Sequence, residues 1–234
     1  MSKPNLLLLH GALGSKNQFT HLKRSLADQF NVYDLDFEGH GGRLSDKDYS
    51  ISLFANNIMD FIEENSLVKT HIFGYSMGGY VALKLASENQ TWIDRIVTLG
   101  TKFNWTPEIA DKEVRMLNPS KVEEKVPKFA TYLSKLHSPD DWKTIMRKTA
   151  QMIIDMGNGK KLSEIELSSI TNKILIGIGE LDNMVTTEES KYTAELIPNG
   201  ELDIIEGLKH PIETVDVNRL AVLLRSFFIG DIQK

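Results

Sequence analysis

Gly74-Tyr75-Ser76-Met77-Gly78 sets a serine between two glycines. It directly follows the apolar run Thr70-His71-Ile72-Phe73 and precedes a helix-like stretch over 79–86. A strand that turns sharply into a helix with serine at the bend is a nucleophile elbow. The flanking glycines let the two backbones pack closely and accept strained dihedrals. The hydroxyl then stands at a helix N-terminus, where backbone N–H groups and the helix dipole favour developing negative charge. The chemistry implied is nucleophilic attack by Ser76.

A serine hydroxyl needs a base, an acid to orient that base, and donors for an oxyanion. The chain has six histidines. His210 follows the last strand-like run, in Glu206-Gly207-Leu208-Lys209-His210-Pro211, where open α/β sheets put their chemistry. It is the candidate base. His10 and His40 sit in glycine-bearing loops and read as loop-structuring groups. His21 and His71 fall inside a helix and a strand, and His137 falls where it could touch substrate. Asp182, in the turn after Lys173-Ile174-Leu175-Ile176-Gly177-Ile178-Gly179, is the candidate acid, and nearby Glu180 reads as a solvated turn residue. Gly177-x-Gly179 lacks the third glycine of a dinucleotide loop, because Asp182 holds that place. The order Ser76, Asp182, His210 is the one associated with the elbow. The expected oxyanion donors are the N–H groups of Met77 and, from the loop after the first strand, Ala12.

These groups must be carried by strand ends, and the chain supplies them. Strand-like runs at 5–10, 31–37, 70–75, 95–99, 173–177 and 201–205 alternate with helix-like ones at 18–30, 52–64, 77–88, 188–196 and 217–228. That alternation predicts a parallel α/β sheet. Thr186 with Glu189 predicts a capping box for the fourth helix. The alternation breaks between about Thr101 and Asn172, which reads as helices only. Thr106-Pro107-Glu108 looks like a helix start, and Ser138-Pro139-Asp140-Asp141 repeats that logic. Apolar residues recur at helical spacing at Val126, Phe129, Leu133 and Leu136, and later at Ile145, Met152 and Met156. The expectation is a core formed by 1–101 and 171–234, with 102–170 inserted as a helical cap over the sheet's C-terminal edge.

Composition narrows the function classes. The 234 residues are 41% hydrophobic, enough for one domain with an insertion, and net charge is −5 with both signs mixed along the chain. No basic run points to nucleic acid. The absence of cysteine excludes disulfides, cysteine-based zinc sites and a cysteine nucleophile. No apolar stretch is long enough for a signal-peptide core or a membrane span. The expected protein is cytoplasmic, needs no cofactor or metal, and is a monomer or homodimer without membrane or nucleic-acid partners.

Four separated motifs, His10-Gly11-x-x-Gly14-Ser15, Asp36-x-x-Gly39-His40-Gly41, Gly74-Tyr75-Ser76-Met77-Gly78-Gly79, and Asp182 followed by His210, resemble the α/β-hydrolase superfamily from His10 to His210. The resemblance implies a mostly parallel sheet flanked by helices, with a helical cap at about 102–170. The first recognisable strand already carries the oxyanion loop, so a reduced sheet of about six strands is expected. The elbow looks like that of small bacterial esterases and thioesterases. It also looks like the menaquinone-pathway enzyme that eliminates pyruvate, whose pattern has an arginine where this chain has Tyr80. Losing a bidentate carboxylate clamp is not a neutral swap.

The expected function is a serine hydrolase cleaving small apolar carboxylic esters through an acyl-enzyme. Thioester cleavage, carbon–carbon bond hydrolysis and menaquinone-pathway-like elimination are alternatives on the same triad. A ligand-binding or sensor protein on a hydrolase scaffold is the rival of another class. The expected substrate pocket comprises Leu13, Tyr75, Phe103, Trp105, Phe129, Tyr132, His137, Trp142 and Met184. Met116, Met146, Met152 and Met156 add to the apolar content of the insertion, most of it packing on the core and some facing the cleft.

Overall fold

A computed structural model describes residues 3–230. The outer ends of the two expected core segments, 1–2 and 231–234, lie outside the described residues. Six parallel strands form one sheet: β1 (Asn5–Leu9), β2 (Asn31–Leu35), β3 (Thr70–Tyr75), β4 (Ile93–Leu99), β5 (Lys173–Gly179) and β6 (Gly200–Ile205), in the order β2-β1-β3-β4-β5-β6. Leu6 to Leu9, Ile72, Phe73 and Ile174 to Ile178 run as near-continuous apolar strands because both faces of the sheet are covered. On one face lie α1 (Thr20–Leu26) and α10 (Val217–Ile229), packed through Leu22, Leu26, Leu224 and Phe228 against Leu6, Leu8, Phe73 and Val97. On the other lie α2 (Ile51–Glu64), α3 (Met77–Ser87) and α9 (Thr187–Leu196), which bury Phe54, Ile58, Val81, Leu85 and Ala194 against Leu7, Ile72, Ile96 and Ile174.

The chain reverses direction across the sheet between β1 and β3. Their C-terminal ends are adjacent, with Leu9 opposite Gly74, and Leu99 of β4 pairs with Tyr75 on the other side. Loops at such a reversal splay apart and leave a crevice. The loops after β1, β3 and β4 all open there.

Five helices separate β4 from β5: α4 (Pro107–Val114), α5 (Pro119–Lys125), α6 (Pro127–His137), α7 (Trp142–Asp155) and α8 (Glu164–Ser168). Each of the first three has proline in its first turn, where a missing N–H costs nothing. Thr106 caps α4 as its sequence predicts. The second expected cap is displaced: Asp141, not Ser138, caps α7, accepting from the Lys143 and Thr144 N–H groups. Two carboxylate oxygens satisfy two orphan donors at once. Val122, Ala130, Leu133, Trp142 and Met146 form a small core within this segment, while Trp105, Ile145, Met152, Met156 and Leu167 join the main core. Val126 and Phe129, expected on the packed stripe of α6, are exposed, whereas Leu133 is fully buried.

The expected capping box on α9 is half formed. Thr186 Oγ1 accepts from the Glu189 N–H, while Oε1 of the Glu189 carboxylate is buried without a hydrogen-bond partner. Burial raises its pKa, opposed by the nearby Lys102 and by the Thr186 and Phe103 amides. The complete box lies on α8, where Ser163 and Glu166 bond reciprocally. No helix among the described residues is long and apolar enough to cross a membrane.

Candidate active site

Ser76 has φ 50° and ψ −115°, a left-handed conformation that a non-glycine residue adopts only when its surroundings force it. They do so here. Its N–H donates to the Leu99 carbonyl at 2.8 Å, and its own carbonyl accepts from the Gly79 N–H at 3.1 Å and the Thr101 hydroxyl at 2.9 Å. The glycines make that seat possible: a Cβ on Gly74 would strike the Gly79 backbone, and one on Gly79 would strike the Thr101 side chain. Strand and helix thus cross at backbone contact.

Asp182 lies in the turn after β5, its side chain only 1% exposed. One carboxylate oxygen accepts from the Met184 and Val185 N–H groups at 2.8 and 2.9 Å, and the other accepts from His210 Nδ1 at 2.8 Å. Burial pushes the carboxyl pKa up, but the His210 bond and the two backbone donors outweigh it and hold Asp182 below its ordinary value. The acceptor at Nδ1 fixes the His210 tautomer and leaves Nε2 for other work. Tyr75 braces the ring from behind, its hydroxyl donating to the His210 carbonyl at 3.1 Å. Gly100, at φ 61°, passes against the same pair, where an added Cβ would come within 3.2 Å of His210 Nδ1. Glu180 instead accepts from the Gly207 N–H and holds the turn, away from His210.

Ser76, Met77, His210 and Ala12 line one cavity of about 440 Å³ between the sheet edge and the α4–α8 segment. Six of the nine expected pocket residues line it: Leu13, Tyr75, Trp105, Phe129, Tyr132 and Met184. Three do not. Phe103 stacks on the Tyr80 ring at 6.2 Å and packs on the main core. Trp142, the first residue of α7, is buried within the small core of the segment, where it packs with Val122, Ala130, Leu133 and Met146. His137 is fully buried between two loops, its Nε2–H donating to the Leu13 carbonyl and its Nδ1 accepting from the Gly41 N–H.

The other histidines have structural work. His10 Nδ1–H donates to the Gly11 carbonyl and Nε2 accepts from the Phe37 N–H, tying the ends of β1 and β2. Burial pushes its pKa down to about 4. His40 lies between His10 and His137, with ring centroids 5.2 and 5.7 Å away. His71 stacks on Phe228, and His21 is exposed on α1.

The cavity also holds groups the sequence reading passed over. Lys102 and Glu113 form an ion pair at 3.5 Å on its wall, with side chains 16% and 11% exposed, and Lys102 also donates to the Met184 carbonyl at 2.6 Å. Lys102 lies in the loop just after β4, so the rule that strand ends carry function could have flagged it. Glu113 gave no such signal. Tyr80 lines the cavity too, but its hydroxyl accepts from the Leu162 N–H at 2.7 Å and pins the start of α8. Among the described residues no group of three or more His, Asp or Glu is placed to hold a metal ion.

Comparison with known proteins bears on the fold that carries these residues. An uncharacterized protein of Mycobacterium tuberculosis is 33% identical over 102 residues, which is 42% of this chain and 29% of that protein. The chain therefore matches less than a third of that curated relative's length. A protein of Agrobacterium fabrum named for carbamate hydrolysis, RutD, is 23% identical over 250 residues, 97% of this chain and 93% of its own. The crystal structure of MGS-M2, an alpha/beta hydrolase enzyme from a deep-sea metagenome library of the Medee basin, superposes with a TM-score of 0.82 at 18% identity, covering 100% of this chain and 92% of that one. At that identity the likeness speaks for the fold alone. The family model for the alpha/beta hydrolase fold matches residues 4–127, just over half of the sequence. With one parallel sheet, an elbow serine at its reversal point and a matching family model, the chain belongs to the alpha/beta hydrolase fold family.

Proposed function

We propose that this protein is a serine hydrolase that cleaves small carboxylic esters, with α4–α8 serving as a cap over the site. One observation carries the reading: a strained elbow serine and an Asp182-oriented His210 line the same mostly apolar cavity. Ser76 Oγ attacks the ester carbonyl while His210 Nε2 takes its proton. Asp182 keeps the imidazole in the acting tautomer and stabilises the imidazolium. The Met77 and Ala12 N–H groups receive the oxyanion, each such donor being worth ~10²–10³ in turnover. His210 then protonates the leaving alkoxide, and water activated by the same ring cleaves the acyl-enzyme.

The cavity wall argues for an apolar acyl group of modest size. The lysine on that wall, the half-buried Lys102, is already matched by Glu113. Tyr80 stands where the menaquinone-pathway enzyme has its arginine, and its hydroxyl is engaged by Leu162 N–H, which weighs against a carboxylate-clamping lyase. The test is labelling with a fluorophosphonate probe, read by peptide mass, beside turnover of p-nitrophenyl esters. A single adduct on Ser76 and loss of turnover by roughly 10⁴-fold or more in a folded Ser76→Ala variant are expected. Labelling elsewhere, or Ser76→Ala turning over at the wild-type rate, overturns the reading. A single acylation that never clears would favour a sensor instead.

A further inference from the structure

The loop expected to supply the second oxyanion donor is held in an unfavourable shape. Gly14 N–H closes a four-residue turn onto the Gly11 carbonyl at 3.1 Å, and its third residue, Leu13, has φ 57°. Glycine is the usual residue in that region, since a Cβ crowds the following carbonyl there. A leucine persists in it only if its neighbours over-determine the backbone. Two of them come from the cap. The Leu13 side chain packs against both the main core and the small cap core of Val122, Leu133 and Trp142. The Leu13 carbonyl accepts from His137 Nε2–H, at the end of α6, at 3.2 Å.

The other ring nitrogen of His137 accepts from the Gly41 N–H at 3.1 Å. That loop, after β2, is itself pressed against the cap, since a Cβ on Gly42 would come within 2.7 Å of the Ser138 carbonyl oxygen. One fully buried imidazole therefore joins the cap, the oxyanion loop and the β2 loop. Both bonds require the neutral ring, and burial favours that form.

We infer that His137 is a positioning residue for the oxyanion hole: by fixing Leu13, it aims the preceding Ala12 N–H, so that the hole is complete only while the cap is docked. This rests on the serine-hydrolase reading above. His137 does not line the cavity, so it acts on the transition state through the loop and not on substrate binding.

The experiment compares wild type, His137→Leu and His137→Gln, using p-nitrophenyl butyrate as substrate and phenylboronic acid as inhibitor. With the boronic acid, Ser76 Oγ adds to boron and its proton passes to His210, giving a tetrahedral adduct that tests the hole directly. In His137→Leu, kcat should fall about 10- to 100-fold with KM within about threefold, since a donor is misaimed and not removed. Affinity for the boronic acid should fall by the same factor as kcat/KM. Gln carries an acceptor and a donor at similar spacing, and should recover most of the loss. If His137→Leu does not fold, His137→Asn replaces it; one methylene short of Gln, it should reach one partner and lose an intermediate amount. A folded His137→Leu with wild-type kcat, a loss of kcat without loss of boronate affinity, or Gln as impaired as Leu each overturns the inference. Failure of the hydrolase reading itself is read in the wild type, as neither turnover nor boronate binding.

Discussion

The floor and the roof of the cavity hold their residues by different means. On the floor, Ser76, Gly79, Gly100 and Asp182 are fixed by backbone: positive φ, close strand-to-helix approach, and hydrogen bonds from main-chain N–H groups to a carboxylate. On the roof, Met146, Met152 and Ile153 of α7, Met156 just beyond it and Met116 in the turn after α4 line the cavity through apolar side chains. Backbone contacts cannot relax, whereas unbranched thioether side chains can rearrange around a new shape. The floor should fail steeply when altered, and the roof should change selectivity gradually.

The largest effect expected on the floor after replacement of Ser76 is at Asp182. Asp182→Asn keeps an oxygen for Met184 and Val185 but turns an amide N–H toward His210 Nδ1, selecting the wrong tautomer. Turnover of p-nitrophenyl butyrate should drop by the order of 10⁴ with little change in thermal stability. A loss under tenfold would mean that the Asp182 bond does not orient the working imidazole.

A second test uses pH to probe the buried histidines that tie together the strands and loops beneath the cavity. His10, His40, His137 and His71 all have pKa values below the ordinary histidine value, first because burial disfavours the charged form. Asp36 lies near His10 and His137, Asp140 near His137 and Asp94 near His71, and these carboxylates act in the opposite sense without cancelling burial. The unfolded chain then binds more protons than the folded one below pH 6.5, so stability rises with pH. It is fully present above 6.5 and falls as pH drops toward the folded values, near 4 for His10. His10 alone removes about 2 kcal/mol at pH 5, where the carboxylates held low, Asp182, Glu38, Glu108, Asp141, Asp155 and Glu166, are still mostly ionised in both states. Urea midpoints measured from pH 7 to 5 should decline, and a flat series would show that these rings are not held neutral.

The same contrast explains what the sequence revealed. The floor was legible because its constraints are local and chemical. Only glycine admits the approach at Gly74 and Gly79, and a strand followed by a turn names the positions of Asp182 and His210. The six strands were readable for a related reason: apolar runs bounded by Gly, Asn and Asp have few other uses. The roof was not legible at the level of residues. Helical period shows that α6 has an apolar stripe, yet Leu133 is buried and Phe129 is exposed on that stripe, because packing direction depends on the neighbouring helices. His137 carried no local sign of its two partners, which lie 96 and 124 residues away in the chain.

The smallest expected effect lies on the roof and is the most specific test of how it works. Met116 lines the cavity while remaining 56% exposed, so it contributes to the pocket wall without filling the core. Met116→Ala should change stability by less than about 0.5 kcal/mol, as for a surface site away from buried features. It should nevertheless alter selectivity across an ester chain-length series. The wall loses the outer part of the thioether side chain, so KM for the longer acyl chains should rise a fewfold while kcat holds, the pattern of lost uniform binding. Asp182→Asn should show the reverse, kcat falling at constant KM. Were Met116→Ala to lower kcat and leave KM unchanged, the roof would be aligning the reacting carbonyl, and the division between a floor that reacts and a roof that selects would fail at that residue.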